Sequence, residues 1–300
     1  MSRTSALVAT LKFVMEHPLN RGRRARALMR YVRWQVRSRL VPGPVVYRWV
    51  SGSKIIVRAG ETGLTGNIYC GLHEFADMAY LLHVTRADDL FVDIGANAGS
   101  YTVLACAVRG ARGYCCEPVP ATFQRLLDNV AINNISGRVE ALNVGLSDRV
   151  DEVSFTAGLD CANHVLAKDE HASEVARVTV LPLDAVLRDE APTILKIDVE
   201  GFETRVLSGA VETLGKPSLH SVIMELNGSG RRYGFSDADL IITMKRYGFS
   251  TYSYEPFSRE LRSLDGRQTS SGNTLFVRDV SKVRDRVRMS PAVSAGGVWF

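Results

Sequence analysis

From Leu90 onward, short apolar runs alternate with helical stretches, and this alternation constrains the fold more than any other feature of the chain. "LFVDI" (90–94) leads into a helical stretch at 100–109, and "GYCCE" (113–117) into one at 121–133. "VEALNVGL" (139–146) follows; "TILKID" (193–198) precedes a helix near 203–214, and "HSVIMEL" (220–226) one at 238–247. Repeated strand–helix units imply a mostly parallel sheet with helices on both faces. "VDEVSF" (150–155) and "VARVTVLPL" (175–183) read as an inserted β-hairpin around a loop at 157–174. "FSTYSY" (249–254) and "NTLFVRD" (273–279) read as a final pair of strands. Ahead of this core, 5–16 and 23–40 read as helices, the second ended by "VPGP". "VVYRWV" and "KIIVRA" read as a hairpin, and "LHEFADMAYLLHV" (72–84) as an amphipathic helix entering the core.

Sheets of this kind bind ligands outside the carboxyl ends of their strands, at the switch point. The residues that end each strand are therefore the candidates. Asp93 ends the first and is followed by Gly95-Ala96-Asn97-Ala98-Gly99. A dinucleotide loop needs Gly-x-Gly-x-x-Gly. Here Asn97 stands where the second glycine would let a pyrophosphate approach, Ser100 and Tyr101 follow, and Asp93 adds negative charge at the same spot. The loop suits a cofactor carrying a cation and no phosphate, as S-adenosylmethionine does. The plainer alternative is that Asp93 caps the turn and the glycines only shape it. Glu117 ends the second strand, where an acid can accept both hydroxyls of a ribose; on its own this does not separate S-adenosylmethionine from NAD.

The fourth core strand carries "LKIDVEGFE". Lys196 lies in an otherwise apolar strand, where a lone cation is costly. Lys196, Asp198 and Glu200 fall on one face of an extended chain, so a Lys196–Asp198 pair is expected. "MELNG" brings Glu225 and Asn227 to the same rim, and His164 in the inserted loop is placed to reach over it; a solvated loop histidine is its plainer reading.

Taken in order, "FVDIGANAGSYT", "CEP", "NVGLSD", "ILKIDVEGFE" and "NTLFV" resemble the FkbM family of S-adenosylmethionine-dependent methyltransferases over roughly residues 67–278. The resemblance implies an α/β class I (Rossmann-like) methyltransferase with a mostly parallel seven-stranded sheet flanked by helices. It implies that Asp93, Gly95, Asn97 and Gly99 surround the methionine part and that Glu117 holds the ribose. Leu146 and Ser147 would lie near adenine, and Ser100, Tyr101 and Asp198 complete the cofactor set. The implied reaction moves the sulfonium methyl to a hydroxyl of a sugar, glycolipid or secondary metabolite. Asp198 is the first candidate for base or hydroxyl positioner, then His164 and Glu225. An alternative has Asp198, Glu200 and Glu225 hold Mg²⁺. Competing classes are an NAD-dependent oxidoreductase, disfavoured by Asp93 and Asn97, and a non-catalytic S-adenosylmethionine-binding protein.

The expected organisation is a basic helix-and-hairpin extension over 1–60, a methyltransferase domain over 61–280 and a C-terminal tail over 281–300. Five cysteines without a CxxC pair read as buried reduced thiols. No targeting signal or membrane span is read, so a cytoplasmic protein is expected, peripheral on the inner face of the membrane at most. Arg23, Arg26, Arg30, Arg33 and Arg37 recur at helical spacing beside Leu28, Val32 and Val36, in a stretch from His17 to Gly60 without Asp or Glu. That is the pattern of a helix resting on anionic lipid. The alternative is that the apolar stripe packs on the core and the arginines are solvated. No "NPPY"-type or "DPPY"-type motif follows the fourth strand, which argues against a nucleic-acid partner.

Overall fold

The computed structural model describes residues 3–300 except 42, 159–161, 168–169 and 271; Cys161 therefore lies outside the described residues. Helices α1 (Arg3–Glu16) and α2 (Arg24–Leu40) come first, then a hairpin of β1 (Val45–Arg48) and β2 (Lys54–Val57), α3 (Thr62–Cys70) and α4 (Phe75–Val84). The core runs β3 (Leu90–Ile94), a helical turn α5 (Ser100–Thr102) that continues as a π-helix over Val103–Val108, β4 (Arg112–Cys116), α6 (Pro120–Ile132), β5 (Val139–Leu142) and β6 (Gly145–Leu146). It continues through β7 (Asp151–Thr156), β8 (Val175–Leu181), α7 (Leu183–Leu187), β9 (Ile194–Ile197), α8 (Glu203–Ser208), α9 (Val211–Gly215) and β10 (Ser221–Glu225). Then come α10 (Asp237–Arg246), β11 (Ser250–Glu255), β12 (Glu260–Ser263), β13 (Asn273–Val277) and α11 (Val280–Met289), and the chain closes with a short antiparallel pair, β14 (Ser294–Ala295) and β15 (Val298–Trp299).

The central sheet has the order β12-β11-β13-β10-β9-β3-β4-β5. Strands β3, β4, β5, β9 and β10 are parallel, and β13 runs against both β10 and β11. The order reverses between β3 and β9, which makes their carboxyl ends the switch point. This is the class I methyltransferase arrangement, with one difference from the expected seven strands. An eighth, β12, pairs with β11 at the sheet edge. Its sequence "ELRS" has only Leu261 buried, so no apolar run announces it. The inserted hairpin is present as β7 and β8, which form a separate small sheet with β6.

Three further differences stand beside this one. The expected helix at 203–214 breaks into α8 and α9 at Gly209, where a Cβ would stand 2.0 Å from the Ser147 carbonyl oxygen. Helix α3 precedes the expected helix at 72–84, which begins only at Phe75. The C-terminal segment is integral: Val283 and Val287 are buried, and the Phe300 ring meets Phe75 at 5.1 Å.

The N-terminal elements are keyed to the core by two asparagines of α6. Asn129 Oδ1 accepts from the Ile56 amide at 2.7 Å and Asn133 Oδ1 from the Lys54 amide at 2.8 Å, so α6 satisfies the free edge of β2. The Asn129 amide also donates to the Ala98 carbonyl at 2.8 Å, tying that edge to the glycine loop. Cys70, Cys106, Cys115 and Cys116 are buried free thiols, as read.

Candidate active site

The strand register assembles the site. Asp93 lies beside Lys196 across β3 and β9, and Glu225 opposite Asn273 across β10 and β13. A cavity of about 240 Å³ opens at these strand ends. Asp93, Gly95, Asn97, Ser100, Tyr101, Glu117, Leu146, Asp198, Glu200 and Glu225 all line it.

The loop after β3 is held open by its neighbours. Gly95 has φ +77°, and a Cβ there would fall 1.8 Å from the Asp198 carbonyl oxygen. Only glycine lets the β9 end lie directly on the loop. The Gly95 and Ala96 amides both donate to the Cys116 carbonyl at 3.0 Å, which locks the loop to β4. Gly99 also has positive φ, but it faces Leu126 and is not among the cavity-lining residues.

Asp93 is buried; its Oδ2 accepts from the Thr102 hydroxyl at 2.6 Å, and burial raises its pKa to about 6. Glu117 accepts from the Asn97 amide at 3.0 Å and the Val119 amide at 2.9 Å, and burial raises it to about 7. Each carboxyl thus sits at the cavity wall in a state that an arriving cation or hydroxyl donor would shift toward ionisation. Leu146 faces the cavity with Val144, Phe155 and Val180, an apolar slot suited to a flat ring. Ser147 is turned elsewhere, with its hydroxyl on Asp148 at 3.0 Å.

The expected lysine pair is present. Lys196 is 1% exposed, and its Nζ donates to Asp198 Oδ2 at 2.8 Å and to Asn273 Oδ1 at 3.1 Å. Burial works against its charge, but the carboxylates of Asp198 and Glu74 outweigh that and raise its pKa. Around it stand acids that crowd one another. Burial first, then Asp198, raises Glu200 to about 6 and pushes Glu225 well above the carboxylate range. Glu225 Oε2 is buried with no hydrogen-bond partner. Oxygen atoms of Asp198, Glu200 and Glu225 lie within 4.8 Å of one another, close enough to share a cation.

His164 is not brought to the cavity wall. Its Nε2 bonds Glu170 at 2.8 Å and its Nδ1 the Ala162 carbonyl at 2.9 Å, while Asn163 and Val165 on either side line the cavity. Among the lining residues that the sequence reading did not single out are Gly63, His73 and Glu74. Glu74 accepts from the Tyr101 hydroxyl at 2.9 Å and from the Asn273 amide at 2.7 Å. The signal for it was the "NTLFV" motif, whose Asn273 bridges Lys196 and Glu74. A second cleft of about 680 Å³, walled by α1, α2 and α3, shares Gly63 and His73 with the first.

The sequence profile of the methyltransferase FkbM domain matches residues 93–251. Hexuronic acid methyltransferase AglP of Haloferax volcanii is 32% identical over 149 residues, which is 49% of this chain and 59% of that protein. The alignment thus spans less than two thirds of AglP. The 31-O-demethyl-FK506 methyltransferase FkbM of Streptomyces tacrolimicus is 26% identical over 210 residues, 59% of this chain and 79% of that one. Among solved structures, M. capricolum TrmK in complex with S-adenosyl-homocysteine aligns over 67% of this chain and 66% of its own at 11% identity. Its TM-score of 0.37 is too low to argue from.

Proposed function

The chain belongs to the methyltransferase FkbM family, and from that premise we propose that it transfers a methyl group from S-adenosylmethionine to a hydroxyl oxygen of a sugar, glycolipid or secondary metabolite. One observation carries the cofactor: the cavity is ringed by acids, and its lysine, Lys196, is spent on Asp198 and Asn273. A diphosphate would meet Asp93 and Glu117 there with no free lysine or arginine among the described lining residues. An ammonium, a sulfonium and two ribose hydroxyls suit the same donor set. When bound, S-adenosylmethionine supplies an electrophilic methyl group.

In this reading the protein's own groups do the rest. Asp93 faces the ammonium end, Glu117 accepts the ribose hydroxyls, and Leu146 and Phe155 flank the adenine. Asp198, fixed at the cavity wall by Lys196, positions the acceptor hydroxyl and takes up its proton. The two relatives support an oxygen acceptor, one named for a hexuronic acid and the other for a 31-O-demethyl compound. A second reading rests on Asp198, Glu200 and Glu225: their clustered oxygens and the orphaned Glu225 Oε2 suit Mg²⁺, which would orient an acceptor hydroxyl.

Calorimetric titration tests both. S-adenosylhomocysteine should bind and NAD should not. Glu117→Ala should weaken S-adenosylhomocysteine by about 1.5–3 kcal/mol, the range for charged hydrogen bonds. Binding of NAD in its place would reverse the cofactor assignment, and unchanged affinity in the variant would remove Glu117 from the ribose role. Mg²⁺ titrated in the same cell should give heat that Glu225→Gln abolishes; no heat leaves Asp198 acting without a metal.

A further inference from the structure

The arginine-rich helix α2 is the one strong motif that methyl transfer leaves unused. Its buried residues are Ala27 and Trp34, and its Tyr31 ring meets Tyr69 at 5.0 Å. Arg30, expected on the outer face, is turned inward, onto the Tyr69 carbonyl at 2.9 Å and Asn20 Oδ1 at 2.6 Å. The apolar stripe faces the other way. Leu28 is 41% exposed, Met29 67%, Val32 50%, Val36 50% and Leu40 75%. The stripe does not pack on the core, so the alternative reading of this helix fails.

At helical spacing these five residues share one arc. Arg26, Arg33 and Arg37 border it on one side and Arg24 on the other, all exposed. Among the described residues no arginine of α2 forms an ion pair. Helix α1 adds Leu7 and Val8, 45% and 61% exposed. More of the described exposed large apolar side chains lie before Tyr47 than in all the rest of the chain.

We propose that this face docks on an anionic lipid bilayer, with the stripe in the boundary between headgroups and acyl chains and the arginines on lipid phosphates. Charge and apolarity together select this partner. A second copy would set one cationic face against another. A nucleic acid would take the arginines and leave the stripe in water. A bilayer surface satisfies both, because arginines extend their apolar stems along the stripe while their heads meet phosphate. The same helix walls the cleft that shares Gly63 and His73 with the cavity, through Gln35 and Arg39. A docked molecule would therefore set that cleft beside the lipid surface. The inference stands apart from methyl transfer and is tested without it.

The 300-residue protein is sedimented with phosphatidylcholine vesicles with and without about 30% phosphatidylglycerol. Binding should require the anionic lipid and fade as salt shortens the Debye length from about 10 Å toward 3 Å. The variant Arg26→Gln/Arg33→Gln/Arg37→Gln should partition about a hundredfold less, since each basic residue near the surface contributes about fivefold. Val32→Ser/Val36→Ser should also weaken binding, about tenfold or more, while leaving the salt response in place. S-adenosylhomocysteine titration and thermal melting report whether each variant is folded; if the triple variant is not, Arg33→Gln alone should lose about fivefold. Absence of wild-type binding to anionic vesicles at low salt overturns the proposal. So does equal binding to neutral vesicles, a dimer that ignores vesicles, or capture by a DNA duplex in preference to lipid.

Discussion

At the scale of single residues, burial holds four of the site's carboxyls, Asp93, Glu117, Glu200 and Glu225, back from ionising. Glu225 is the extreme case: its Oε2 has no partner, and burial together with Asp198 and Glu200 raises its pKa. The folded state therefore keeps this proton at pH values where the unfolded chain has lost it. Stability from such a group is complete below the unfolded pKa, about 4.3, and falls as pH rises toward the folded one. Glu225→Gln copies the protonated form and removes that loss. In the cofactor-free protein it should raise the melting temperature by about 2–5 °C at pH 8 and hardly at all at pH 4.5. An equal shift at both values would mean that the substitution acts through packing. His164 makes the opposite point: Ala162 and Glu170, two and six residues away in the same loop, occupy its two ring nitrogens, and an irregular loop has no periodicity from which such local pairing could be read.

At the scale of elements, the legible parts were those whose burial is uniform. Strands β3, β9 and β10 are apolar along almost their whole length because both faces are covered, and the acids at or beside their ends stand out against that background. Edge strand β12 and helix α3 were not legible: "ELRS" carries no alternation, and "TGLTGNIYC" holds two glycines and two threonines, poor helix formers that tertiary packing overrides. Glu74 and His73 escaped notice because they enter the site from the turn between α3 and α4, which lies outside the core strands in sequence although Glu74 meets Asn273 of β13. Gly95 was read as part of the cofactor loop; the fold adds that it is where β3's loop touches β9's end. Gly95→Ala should therefore damage both at once. With no room for a methyl group and an unfavourable φ, it should cost about 2–5 kcal/mol of stability and abolish S-adenosylhomocysteine binding. A variant that melts within a degree of wild type would show that the approach of Asp198 can relax.

At the scale of the whole molecule, the N-terminal helices and hairpin are fastened to the core by Asn129 and Asn133, and the C-terminal segment by Val283, Val287 and Phe300. Among the described residues no helix is long and apolar enough to cross a membrane. The acid-lined cavity also carries a thermodynamic signature that belongs to the protein as one body. With Asp93 raised to about 6 and Glu117 to about 7, these two carboxyls are partly protonated at neutral pH in the ligand-free protein. A cationic ligand must displace those hydrogens into solution, so its uptake is an exchange. Calorimetry at pH 7 in phosphate and in Tris should give different apparent heats for S-adenosylmethionine. Plotted against the buffers' ionisation enthalpies, they should report release of about half a proton per ligand. The slope should shrink by pH 8.5, where both carboxyls are already ionised. A flat plot at pH 7 would mean that the ligand meets the acids already charged, and the cavity would then be a fixed anionic cup rather than a reservoir of hydrogen ions.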